Sequence, residues 1–247
     1  MRPLLTLFAL IFNFAGAWAG DADKLAIIGF SKDASHFAFE TYGVGDGSGL
    51  GYSDIYIIDV KSNSWVAGSP IRQRGEDENQ TQAVARAGAL KLAAPLLAKF
   101  GVTHTYEFLA LNPITEIIAD RKRIEFDSIH RSYGNSTVTP GEAADNRYVL
   151  EINDFPIGPA ADCLSETGSR HGFSLHVKQT LSGKVLEPYK DADVPKSRGC
   201  PFNYELDAIV SPDDESSSVI LVAVVAYYTQ GFEGPDRHFI AVPFTLP

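Results

Sequence analysis

The residues best suited to chemistry are concentrated in two stretches rich in glycine and aromatic side chains. The first runs from Tyr42 to Ser53 and holds Asp46, Ser48 and Tyr52, with Asp54 just beyond it. The second runs from Tyr228 to Pro235 and holds Phe232 and Glu233, with Asp236 and Arg237 following. Aromatic rings supply rigid contact area, glycines allow close backbone approach, and a few charges fix orientation. This pattern predicts a ligand face built from Tyr42, Asp46, Tyr52, Asp54, Phe232, Glu233, Asp236 and Arg237. A second reading takes the carboxylates as catalysts, with Glu40, Asp46 and Glu233 serving an envelope hydrolase. Glycosidase chemistry needs two carboxylates about 5–10 Å apart across a cleft, a separation that sequence does not reveal. A third reading is calcium, held by the hard oxygens of Asp46, Ser48 and Asp54. The EF-hand pattern fails there: Leu50 stands where an oxygen donor is needed, and the twelfth position from Asp46 is Ile57.

Other familiar chemistries find no complete motif. A zinc protease would need His-Glu-x-x-His, which is absent. His171 and His176 fall on opposite faces of a predicted strand and cannot share a metal there. His36, His104, His130 and His238 have no ligand spacing. The glycines from Gly43 onward miss the offsets of a dinucleotide fingerprint and lead into a strand rather than a helix. Ser182-Gly183-Lys184 lacks the first glycine of a phosphate loop, and no Gly-x-Ser-x-Gly elbow exists. No cofactor is implied.

The elements that must position these residues are mostly strands. Lys24 to Phe30 and His36 to Thr41, separated by the turn cluster Ser31–Ser35, predict a hairpin. Asp54 to Val60 predicts a strand with Ser64–Ala67 as its partner. Six further extended segments are predicted at Arg121–Asp127, Tyr148–Phe155, Phe173–Leu181, Tyr204–Val210, Val219–Tyr227 and His238–Phe244. One helix is expected near 79–101, capped by Asn79 with Gln82 as its box partner and stopped by Gly101. Leu90, Ala93, Ala94 and Leu97 would form its inner face, and Pro95 would kink or split it. The fold class is mainly β with one inserted α-helix, an antiparallel sandwich or a set of incomplete propeller-like sheets. The two glycine-aromatic stretches echo each other: each follows a strand and ends in an aspartate that opens the next. The echo predicts that they emerge at one rim.

The ends and the composition bound the setting. Arg2, the apolar run Leu4–Phe14 and Ala17-Trp18-Ala19 form a secretory leader pattern, with cleavage expected after Ala19. That leaves 20–247 as a single β-rich domain in the periplasm or outside the cell. The apolar run is too short for a stable membrane span. A net charge of −10 argues against nucleic acid as a partner. Cys163 and Cys200 are the two cysteines, and in an exported chain they predict one disulfide.

Phe30-Ser-Lys-Asp33, Phe37-Ala-Phe-Glu-Thr-Tyr-Gly43, Asp46-Gly-Ser-Gly49, Asp54-Ile-Tyr-Ile-Ile-Asp59 and Gly231-Phe-Glu-Gly-Pro-Asp-Arg237 together resemble a family of predicted secreted bacterial proteins of unknown function. Gly68-Ser-Pro70 and Ala94-Pro-Leu-Leu97 are similar too. The resemblance implies export and a compact β-rich domain, and no activity. The opening motif also resembles one blade of the β-propellers of periplasmic translocation-associated proteins. The leading expectation is a non-catalytic exported binding or accessory domain for a small-molecule, glycan or protein ligand. Its alternatives are the carboxylate hydrolase and a structural partner in an envelope complex.

Overall fold

The computed structural model describes residues 20–77, 79–103, 105–128, 147–159, 163, 169–212, 220–231 and 234–247. The expected leader, His104, His130, Phe232 and Glu233 lie outside the described residues.

Three antiparallel sheets stack face to face, and a helix covers the outer face of the first. The first sheet is a meander of β1 (Lys24–Phe30), β2 (His36–Val44), β3 (Gly51–Asp59) and β4 (Ser64–Trp65). β5 (Ile71–Arg74) pairs with β3 beside β4. After α1 (Gln82–Lys99), β6 (Glu107–Leu111) joins the middle sheet as its edge. The third sheet follows as β7 (Arg123–Asp127), β8 (Arg147–Pro159), β9 (Ser169–Gln179) and β10 (Val185–Lys190). The chain then returns to complete the middle sheet with β11 (Pro201–Ser211), β12 (Ile220–Gln230) and β13 (Pro235–Thr245). No sheet closes into a barrel.

The middle position of that sheet explains the most apolar segment of the chain. Side chains alternate across a strand. In β12, Leu221, Ala223, Val225 and Tyr227 face the third sheet, where they meet Phe126, Leu150, Phe173 and Leu175. Val222, Val224 and Ala226 face the first sheet and pack on Phe30, Phe37, Phe39 and Ile58. A strand covered on both sides needs apolar residues at every position rather than at alternate ones. A register shift between Leu206 and Ala208 in β11 keeps Leu206 and Ile209 on one face and Ala208 and Val210 on the other.

The helix differs from its sequence-based expectation. Thr81, not Asn79, is the N-cap, and its side chain accepts a hydrogen bond from the Val84 N–H. The Asn79 N–H is instead bonded to the Asp77 carboxylate. The buried stripe is Ala85, Ala89 and Ala93, at four-residue spacing, against Ala38, Ile55 and Ile57. Leu90 is among the exposed large side chains. Alanines serve here because the helix sits close on the sheet. A Cβ on Gly51 would lie 2.4 Å from the backbone of Thr81 and Gln82. Pro95 does not split α1: it stands on the exposed side, where the carbonyl it leaves unbonded can meet water.

Candidate functional site

A groove opens where the exposed edges of the first and middle sheets meet the segment between β10 and β11. It consists of two adjoining hollows of about 280 and 500 Å³ that share Tyr56, Arg72, Ser197, Arg198 and Tyr227. In the smaller one Tyr56 and Trp65 stand beside Phe239 and Ile240, with Asn63 and Ser64 at the mouth. The larger one adds Asp54, Arg74, Lys196, Thr229, Gln230 and His238. Strand geometry supplies these positions. Ile58 pairs with Trp65, and Asp54 with Arg72, so the tips of β4 and β5 bring a ring and a cation to the same edge of β3. Tyr56 stacks on Phe39 at 4.9 Å and meets Trp65 at 5.6 Å between ring centres.

The opposite wall is held by a buried ion pair. Arg198, in the short 3-10 turn Lys196–Arg198, donates to Asp191 at 2.6 Å and to the Tyr204 hydroxyl at 3.2 Å. Asp191 also accepts from Tyr189 and from the Phe173 N–H, which ties the segment to the third sheet. The disulfide between Cys163 and Cys200, with Cα atoms 5.7 Å apart, anchors the end of the turn, as the cysteine count predicts.

The charges of the groove are unequal. Arg74 makes a two-pronged contact with Asp54, the one carboxylate among the described residues of the lining. Arg198 is committed to Asp191. Arg72 lies 3.7 Å from Asp54 through Nε only, and its side chain is 52% exposed. Lys196 is exposed and pairs with no carboxylate among the described residues. Two cations are thus left to meet something else. Burial, followed by the charge of Asp54, pushes the Tyr56 hydroxyl up to about 12. Burial raises Tyr227 and Tyr189 as well. All three remain neutral hydroxyls at any ordinary pH. The His238 ring at the far end is drawn down by burial but more strongly up by its bond to Asp23 and by the charges of Asp23, Asp236 and Asp21, for a net rise.

The family model described as Predicted secreted protein (DUF2259) matches residues 38–245, a range that includes every residue lining both hollows. The chain belongs to the DUF2259 family. The family is one of predicted secreted proteins, in keeping with export, and membership brings no statement about binding or catalysis. No curated protein and no solved structure matches the chain. No helix among the described residues is long and apolar enough to cross a membrane.

Within this DUF2259 protein the residues singled out from sequence have three fates. Among the described ones, Asp54 alone lines the groove. Tyr52, Asp46, Asp236 and Arg237 meet at one rim, as the echo of the two loops predicts, but through a third segment. Asp21 accepts the Asp46 N–H at 2.5 Å and donates its own N–H to Asp236 at 2.8 Å. Asp23 accepts from the Tyr52 hydroxyl and donates its N–H to the Arg237 carbonyl, while the Arg237 N–H goes to the Asp21 carbonyl and its guanidinium reaches the Asp23 carbonyl at 3.0 Å. The rim's polar groups are largely occupied by one another. Tyr42 belongs elsewhere, beneath the Arg86 guanidinium at 3.8 Å.

Of the carboxylate candidates, Glu40 is fully engaged. Glu40 is 1% exposed and accepts from Arg86 at 3.0 and 2.8 Å and from the Ser53 hydroxyl at 2.8 Å. That cluster fastens α1 to β2 and β3. Of the calcium candidates, Ser48 accepts the Leu50 N–H, and Asp54 sits three rungs down the β2–β3 ladder from the loop that holds Asp46. A cation at Asp54 would have to displace Arg74 from both of its oxygens. Sequence reasoning missed Tyr56, Trp65, Arg72, Lys196 and Arg198. The alternation Ile71-Arg72-Gln73-Arg74 beside an exposed tryptophan is the one signal that could have found part of the set.

Proposed function

We propose that the protein is a non-catalytic exported binding domain and that the groove is its ligand face. One observation carries this reading: two cations, Arg72, held only by a 3.7 Å contact to Asp54, and Lys196, with no carboxylate partner among the described residues, line the same groove as the exposed Trp65 on a chain of net charge −10. Small-molecule sites are concave, mostly apolar, and carry a few placed polar groups. Acid–base hydrolysis calls for two facing carboxylates, and the described residues of the lining contribute one, locked by Arg74.

The chain has two tryptophans, Trp18 and Trp65. In a W18F chain, fluorescence therefore reports Trp65 alone. Titration of the exported protein with a panel of neutral and acidic saccharides and aromatic acids should change that emission saturably for at least one class. Proton NMR of the same mixtures should show the ligand unconsumed after a day. Turnover of a bound compound, abolished by D54N, would replace the binding reading with the hydrolase.

A further inference from the structure

Given the binding reading above, on which this rests, we infer that the groove takes an acidic saccharide: a sugar ring resting on Trp65 and Tyr56, with a carboxylate or phosphate held between Arg72 and Lys196. Three features of the lining point to that class. Trp65 keeps 42% of its surface exposed and lines the smaller hollow. It is tilted 52° to Tyr56, so the two rings form an open corner rather than a closed stack. A corner of that kind suits the C–H face of a sugar ring, which is apolar while its edge is polar.

The second feature is what surrounds the corner. Asn63 and Ser64, both exposed, stand at the same mouth and offer an amide and a hydroxyl to ring hydroxyls. A purely aromatic acid would make no use of them. The third feature is charge. Arg72 lines both hollows, and Lys196 lines the larger from the opposite wall. A planar guanidinium and a mobile ammonium approaching from different walls can together hold one carboxylate or phosphate. A neutral sugar would leave Lys196 without a carboxylate partner among the described residues and Arg72 with only its 3.7 Å contact to Asp54. A bare inorganic anion would leave the rings uncovered.

The test uses the exported W18F chain and four probes: galacturonate, glucose 6-phosphate, glucose and benzoate. The expected result is saturable change in Trp65 emission for one or both acidic sugars, at least tenfold weaker for glucose and for benzoate. Arg72→Gln and Lys196→Gln should each weaken the acidic sugar by at least tenfold and leave the melting temperature within about 2 °C. Trp65→Ala, followed by calorimetry, should weaken it as well. Preference between the two acidic sugars assigns the anion as carboxylate or phosphate. Equal affinity for glucose, or an affinity untouched by both cation variants, overturns the acidic-saccharide class. Binding of benzoate alone, competing at Trp65, overturns the sugar and keeps the groove as a binding site. Binding that leaves Trp65 unperturbed, with NMR shifts confined to other residues, overturns both readings.

Discussion

Removing Arg86 should cost the fold far more than an exposed arginine normally does. Its guanidinium lies 2.8 Å from Glu40, which is almost fully buried under α1. At an effective dielectric of about 20, that separation corresponds to an attraction of roughly 6 kcal/mol. Much of this merely offsets the desolvation of the two charges, so the intact pair is close to neutral for stability. Removal of one partner is different, because it leaves the other charge buried and unpaired, at a cost of about 3–5 kcal/mol. The Arg86 side chain keeps 33% exposure, so water can reach part of the gap, which favours the lower end of that range. For Arg86→Met we expect a loss of about 3 kcal/mol, or about 6–12 °C in Tm for a chain of this size. Glu40→Leu should cost less, since the freed arginine can turn to solvent. The double variant Glu40→Leu/Arg86→Met should return to within about 1 kcal/mol of the parent. Urea unfolding of the four proteins measures the cycle. A loss below about 1 kcal/mol for Arg86→Met would refute the reasoning. So would a Glu40→Gln variant of parental stability that had lost ligand binding, which would return Glu40 to the functional set.

Two further outcomes follow from packing and charge. His238 is held above its ordinary value of 6.5, so its pairing with Asp23 stabilises the fold fully below that value and is lost as pH rises through the folded-state value. Unfolding free energy should therefore fall as pH rises from 6 to 8, a slope that disappears in His238→Gln; an unchanged slope in the variant would count against the pairing. Gly51→Val should separate α1 from β3, because even a Cβ meets the backbone of Thr81 and Gln82 at 2.4 Å; a cost of about 1–3 kcal/mol by denaturant unfolding is expected, and a neutral substitution would show that the helix start is free to move.

Much of the fold was legible because its signals are local. The Ser31–Ser35 turn closes on itself, with Asp33 accepting from both serine hydroxyls at 2.7 Å, so the first hairpin is written in five residues. The long strands β8, β9, β11, β12 and β13 all carry apolar positions with the right period. The features missed are those decided by tertiary contact. Asn79 and Thr81 are both good caps by composition, and the choice fell to Thr81 because the backbone there lies against Gly51. The helix buries alanines rather than leucines for the same reason. β5, β6 and β10 are short and half-exposed, so their pairing comes from the neighbouring strand rather than from their own side chains.

The groove was illegible for a different reason: its charges cancel in the sequence and separate only in space. The chain as a whole is acidic, and Arg72 and Arg74 read as ordinary solvated charges on a short polar segment. Folding commits the acids elsewhere. Asp21, Asp23 and Asp236 fasten the rim, Asp191 holds Arg198, and Glu40 holds Arg86. Asp54, which sequence composition placed in a ligand face for its negative charge, instead orients Arg74 and leaves Arg72 loosely held beside it. The same residue therefore belongs to the groove with the opposite sign of influence: its carboxylate positions cations for an incoming anion. Strand pairing completes the arrangement, because Asp54 faces Arg72 across β3 and β5 while Trp65 faces Ile58 across β3 and β4. A ring and a cation eight residues or fewer apart in sequence become neighbours on one sheet edge. Lys196, more than a hundred residues further along, joins them only because the Asp191–Arg198 pair and the disulfide fold its segment back over that edge.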